Sequence, residues 1–173
     1  MLSRIVNFVT FQIGWFVCVL GASYGRPWLG PSVVLFLLSF YFWMVEDHWT
    51  AVRVVLVVGL VGAVIDSAFG YVGLLQFRDS VLANWLCPPW LVALWMIFAT
   101  TLQHSLSWLA GRWKLAALLG GVFGPVSYYA GQEFGALRLG GTMSSTALAL
   151  AAVWALLLPL LHWWTGKVTI SVR

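Results

Sequence analysis

Charge is what this chain has least of. Five residues are Asp or Glu and nine are Lys or Arg, 8% of 173 in all, against roughly a quarter in an ordinary soluble domain. With 62% of the residues hydrophobic, that little charge cannot clothe a water-soluble globule. The basic residues stand singly in short connections, with no run able to track a phosphate backbone, which excludes a nucleic-acid partner. Cysteine is scarce too. Cys18 and Cys87 are the only thiols, in no CxxC or other ligand-like spacing, and read as small hydrophobes. Nucleophile elbows, phosphate loops and metal spacings are all lacking, so neither a metal nor a cofactor is expected.

What the chain does have is apolar runs along its whole length. A bilayer span needs about 20 predominantly apolar residues, and the runs predict an all-α polytopic membrane protein, one domain over residues 1–173, with about six transmembrane helices near 5–22, 31–45, 51–75, 90–110, 115–132 and 146–164. The first run exceeds a signal-peptide core and is broken by Asn7 and Gln12, so it reads as a retained helix. Tyr24 to Pro31 carry turn formers. The patch Glu46-Asp47-His48-Trp49 reads as a solvated loop, as do Gln76-Phe77-Arg78-Asp79-Ser80 and the Gly-rich stretch 133–145.

Orientation follows from the basic residues. Arg4, Arg53, Arg112, Lys114, Lys167 and Arg173 fall on one side, Arg26, Arg78 and Arg138 on the other. The richer side faces the cytoplasm, which puts both termini there. Trp28, Trp49, Trp90, Trp113 and Trp163 lie near the expected interfaces and read as surface anchors.

The informative residues are polar ones inside apolar runs. Asp66 lies deep in the third, where a carboxylate costs at least about 2.5 to 3.5 kcal/mol. Gly59, Gly62, Ala63, Gly70 and Gly73 recur around it at spacings of three, four and seven, a stripe that calls for close packing against another helix. Asp66 should therefore point into the bundle, as a proton or ligand site or as a buried hydrogen bond locking two helices. In the fourth run Thr100, Thr101, Gln103, His104, Ser107 and Trp108 share one side of a helix. That seam suits a polar head group, with His104 able to exchange a proton near neutral pH, or plain interhelical hydrogen bonding.

At about 1.5 Å per residue, Asp66 and His104 differ in depth by about 13 Å, so they should not pair. Asp66 shares its level with Tyr128, Tyr129 and Gln132, and His104 shares its level with Gln12. Helix five presents Gly121, Gly124, Pro125, Tyr128 and Gln132 along one stripe. Packing explains the glycines, and the phenol or amide groups are placed to meet Asp66. Thr10-Phe11-Gln12 and Thr101-Leu102-Gln103 would suit an inverted three-plus-three repeat.

Several motifs together carry a family resemblance. They are Phe11-Gln12-Ile13-Gly14-Trp15, Pro27-Trp28-Leu29-Gly30-Pro31, Pro88-Pro89-Trp90-Leu91, Thr100-Thr101-Leu102-Gln103-His104-Ser105 and Gly124-Pro125-Val126-Ser127-Tyr128-Tyr129. The chain resembles a bacterial membrane family, domain of unknown function 2878, over nearly its whole length. Gln103 stands where that family is expected to have Asn, which preserves an amide. The resemblance implies a bacterial inner-membrane protein without an established activity. Genes of the family often lie near enzymes similar to cyclopropane fatty acid synthases, which implies work on membrane acyl chains. Arg26-Pro27-Trp28 and Gly62-Ala63-Val64-Ile65-Asp66 also resemble the cell-shape membrane protein MreD, an analogy of architecture.

Three functions follow as expectations. The first is a non-enzymatic membrane component that binds lipid, a membrane protein partner or another copy of itself. The second is an enzyme or accessory subunit of fatty-acyl lipid modification centred on Gln103 and His104. The third is a small solute carrier or substrate-binding subunit using Asp66.

Overall fold

The computed structural model describes residues 2–77 and 83–168, so Arg78, Asp79, Ser80 and Arg173 lie outside the described residues. Six α-helices account for most of it: α1 (Leu2–Ser23), α2 (Leu29–Met44), α3 (His48–Tyr71), α4 (Pro89–Leu102), α5 (Trp113–Glu133) and α6 (Met143–Thr165). Two three-residue strands, β1 (Leu75–Phe77) and β2 (Leu137–Leu139), pair antiparallel. The fold is thus all-helical. Arg4–Ser23, His48–Tyr71 and Ser144–Thr165 are each long and apolar enough to cross a membrane, while α2 and α4 are apolar but shorter.

Two predicted helices end early. The third stops at Tyr71 because Gly73 takes φ +76° and turns the chain into β1. Gly73 N–H reaches the Gly70 carbonyl at 3.1 Å and Leu74 N–H the Phe69 carbonyl at 2.9 Å, the Schellman closure that a left-handed glycine permits. The fourth stops at Leu102 rather than near 110. Thr100 and Thr101 hydroxyls donate back to the carbonyls of Ile97 and Phe98, and Leu106 N–H bonds the Thr101 carbonyl five residues back. Side chains that compete for helix carbonyls make a weak helix end. A short 3-10 turn, Ser107–Leu109, follows.

Two helix–strand–helix units make up the larger part of the molecule: α3–β1–α4 and α5–β2–α6. They are copies of one design, offset by 62 residues up to the strands. Leu56, Gly59, Gly62, Val64, Ala68, Gly73 and Leu75 recur as Leu118, Gly121, Gly124, Val126, Ala130, Gly135 and Leu137. The turn recurs bond for bond, since Gly135 takes φ +81°, its N–H reaches the Gln132 carbonyl at 2.8 Å, and Ala136 N–H reaches the Gly131 carbonyl at 2.9 Å. The strand register centres on Gln76 opposite Arg138, and those two are the same position in the two copies. A local two-fold axis therefore passes between them, and α3 and α5 run the same way toward it. The inverted three-plus-three repeat expected from Thr10-Phe11-Gln12 and Thr101-Leu102-Gln103 is replaced by this parallel one.

The helix pairing repeats as well. In the first unit a Cβ on Gly59 would lie 2.7 Å from Met96 Cγ, and one on Gly62 would overlap the Trp95 ring. In the second, a Cβ on Gly121 would lie 3.4 Å from Ala155 Cβ, and one on Gly124 would overlap the Trp154 ring. Gly62 and Gly124 thereby let an indole lie flat on a helix backbone. The α1–α2 hairpin has no counterpart. It packs on α4, burying Ile97 completely, whereas Leu156 at the matching place on α6 is 68% exposed.

Candidate functional site

Asp66 and Tyr128 hold the same position in the two units, and the axis brings them together. The Tyr128 hydroxyl donates to Asp66 Oδ1 at 2.5 Å, and the Trp95 indole N–H donates to Oδ2 at 2.6 Å. Asp66 is fully buried, so one carboxylate joins α3, α4 and α5 where no water reaches. The Trp95 and Trp154 rings stack across the axis, 4.8 Å between centroids and 11° between planes. The Trp154 indole N–H lies beside Tyr128, as Trp95 lies beside Asp66, but it is buried without a hydrogen bond of normal geometry. Burying two donors and a carboxylate in one cluster is tolerable because both carboxylate oxygens are matched.

Beside this cluster is a cavity of about 510 Å³ between α1, α4 and α5. Its back wall is Trp95, Phe98 and Trp154, and Tyr128 stands at its edge. α1 and α5 each pack mainly against other helices, and the Phe134 ring at the C-cap of α5 meets Trp15 and Phe16 of α1 edge to face. Phe8 and Phe16 on α1 and Phe123 and Val126 on α5, each about half exposed, flank the opening. Among the described residues no second α1 supplies the corresponding wall on the other side of the axis. The polar groups in the wall are few. Ser127 spends its hydroxyl on the Gly124 carbonyl and Tyr128 on Asp66. Gln12, half-buried at mid-height of α1, lines the cavity and makes no hydrogen bond among the described residues.

The polar residues of the fourth run lie elsewhere, at the end of α4 remote from the strands. Asn7 on α1 ties that end down, donating to Thr100 Oγ1 at 2.9 Å and accepting from the Ser105 hydroxyl at 2.8 Å. Gln103 reaches the last turn of α6, donating to the carbonyls of Thr165 and Val168 at 2.9 and 2.7 Å. His104 Nε2 lies 3.3 Å from the Tyr41 hydroxyl, with the two rings edge to face. Gln103 and His104 thus face different helices from a turn, rather than one seam along a helix. His104 and Asp66 have separate partners. The residues level with His104 are Asn7 and Tyr41, and Gln12 belongs to the cavity.

Of the other predicted residues, Gln132 accepts from Leu139 N–H at 2.8 Å and clamps α5 to β2, and Tyr129 is exposed. Gly70 sits against the Trp85 carbonyl. Trp90, expected as an interfacial anchor, is 2% exposed and packs in the core. Asp47, expected to be solvated, is exposed and caps α3, accepting from Thr50 N–H at 3.0 Å. Sequence reasoning missed Trp95, Trp154, Asn7 and Tyr41. The 62-residue recurrence of glycines would have found the first two, since it marks the helix faces on which mid-helix indoles must lie.

No curated protein and no solved structure matches the chain. A family model described as protein of unknown function (DUF2878) matches residues 4–160. That span covers α2 to α5 entirely and most of α1 and α6, and by it the chain belongs to the family of unknown function DUF2878.

Proposed function

We propose that this chain is a multi-pass membrane protein of the bacterial inner membrane, with six helices crossing and both termini cytoplasmic, that holds a hydrophobic membrane-phase molecule between α1, α4 and α5. The observation that carries the reading is the cavity of about 510 Å³, inside the range of about 300 to 1,000 Å³ typical of small-molecule sites, walled by apolar rings and open between two helices. A membrane protein with such an opening meets its ligand by lateral entry from the bilayer. The basic asymmetry of the connections supports the orientation. The reading needs no catalytic group, consistent with Asp66 spending both oxygens on structural donors.

Organic extraction of the protein purified in mild detergent, read by mass spectrometry, tests it. Wild type should release about one equivalent of a membrane molecule, and Ala130→Phe, which fills the cavity from α5, should release much less. No stoichiometric molecule in wild type, or equal retention by a folded Ala130→Phe, overturns the reading.

A second reading is a small solute carrier, favoured by one observation. Parallel repeats that meet at a buried polar pair are a plan on which one repeat can rock against the other, and Asp66 and Tyr128 are that pair. Asp66→Asn that leaves uptake of candidate solutes unchanged in cells removes this reading.

A further inference from the structure

Eleven of the twenty-six side chains and backbone positions that line the cavity are aromatic, whereas aromatic residues make up 16% of the chain. A site for a saturated acyl chain has no use for that bias, because branched aliphatic side chains fill around a flexible chain equally well. Flat rings have a specific preference for other flat rings beyond what burial alone supplies. The second observation is Gln12. Gln12 is half-buried in the cavity wall and makes no hydrogen bond among the described residues, so its amide N–H is open to an acceptor on the occupant. Gln12 stands at mid-height of α1, among Phe8, Phe11, Trp15 and Phe16, so the group that meets it lies within the ring-lined part of the cavity and far from either membrane surface.

We propose that the cavity selects a flat, conjugated, membrane-soluble molecule carrying a ring carbonyl, of which an alkylated quinone is the type, and that Gln12 donates its amide N–H to that carbonyl. The inference rests on the cavity being a ligand site at all. Ring stacking supplies selection against saturated lipid, and the amide sets the depth and orientation of the ring. Asp66 acts behind the wall, accepting from the Trp95 indole N–H and holding that ring in place.

The test uses three soluble probes on the full-length protein in detergent, with binding read as a 1:1 adduct by native mass spectrometry: a decyl-substituted benzoquinone, decylbenzene and dodecane. The expected order is quinone over decylbenzene over dodecane, with the quinone about 5- to 10-fold tighter than decylbenzene, one hydrogen bond's worth. Gln12→Leu, close in volume, should abolish the gap between quinone and decylbenzene. Equal binding of all three probes overturns the ring-carbonyl proposal and leaves a general hydrocarbon site standing. A quinone preference that survives in Gln12→Leu removes the role of Gln12. Binding of none of the three overturns both this inference and the ligand site on which it rests. Because the three probes already discriminate on wild type, a poorly folding Gln12→Leu does not rescue the proposal.

Discussion

Trp95 and Trp154 lie face to face at 4.8 Å, each pressed onto a glycine of its own unit, Gly62 beneath one and Gly124 beneath the other. The stack is the centre of the contact between the units, and it depends on two missing side chains. Around it are the Asp66–Tyr128 bond on one side and the cavity on the other.

Glycine substitution should therefore discriminate sharply between positions. Gly62→Ala and Gly124→Ala force a methyl into an indole, and overpacking of that kind costs about 1 to 3 kcal/mol. Gly121→Ala meets only Ala155 at 3.4 Å and the Ala151 carbonyl at 3.5 Å. There the gain of about 0.5 to 1 kcal/mol from replacing a mid-helix glycine should leave stability unchanged or higher. Thermal unfolding of the three variants in detergent checks the order.

Tyr128→Phe leaves Asp66 Oδ1 without its donor in a site closed to water. A loss of about 1 to 3 kcal/mol is expected. Removing the carboxylate as well, in Asp66→Asn with Tyr128→Phe, should cost less than the sum of the single changes, with a coupling of about 0.5 to 3 kcal/mol in a double-mutant cycle. Strict additivity would mean that the pair does not interact.

Asn7 and His104 offer a contrast at the far end of α4. Asn7 has bonds to both Thr100 and Ser105, while His104 has one long contact to Tyr41. With interhelical side-chain bonds in membranes averaging about 0.6 kcal/mol, Asn7→Ala should destabilise by about 1 to 2 kcal/mol and His104→Phe by less than about 1. Reversal of that order in unfolding measurements would show that the histidine, not the asparagine, anchors this turn.

The Thr50 hydroxyl and then the Thr50 N–H, as donors to the Asp47 carboxylate, hold its pKa below the usual carboxylate range. A depressed folded pKa means that the stabilisation is present above the unfolded pKa and is lost as pH falls through the folded one. Asp47→Asn, which keeps a capping oxygen, should therefore flatten the acid limb of the melting-temperature profile while leaving the value near neutral pH little changed. An acid limb identical to that of wild type would place the titration in another group.

Periodicity and composition made the helical segments legible, because apolar runs and their turn formers are local features. Six runs gave six helices. The two that overran did so where a local competitor was hidden in an apolar context, Gly73 in one and the Thr-Thr-Leu-Gln-His-Ser stretch in the other. The two short strands were invisible, since three residues have no period to read and each is stabilised by the other, 62 residues away. Level-counting along ideal helices placed Asp66 beside Tyr128 and apart from His104, because rise per residue is a robust quantity. It could not supply Trp95, whose approach to Asp66 depends on a glycine-floored groove, a property of two helices together. Reading Trp as an interfacial residue concealed the two indoles at mid-helix, and reading Gln12 by depth alone concealed that it faces a cavity rather than a neighbouring side chain.

The local two-fold carries a constraint on the residues at its centre. In a molecule of two identical units, whatever occupies this place meets its own copy. Two carboxylates there would repel each other until one took up a proton from solution, and two phenols would leave both indole N–H groups without a charged acceptor. One acid facing one phenol satisfies the pair with a single proton between them, and it can do so only if the units differ. Inequality between the halves is thus built into a buried polar contact of the protein, and with it the reason that Trp95 finds a charged acceptor while Trp154, its twin, has only the Tyr128 phenol beside it.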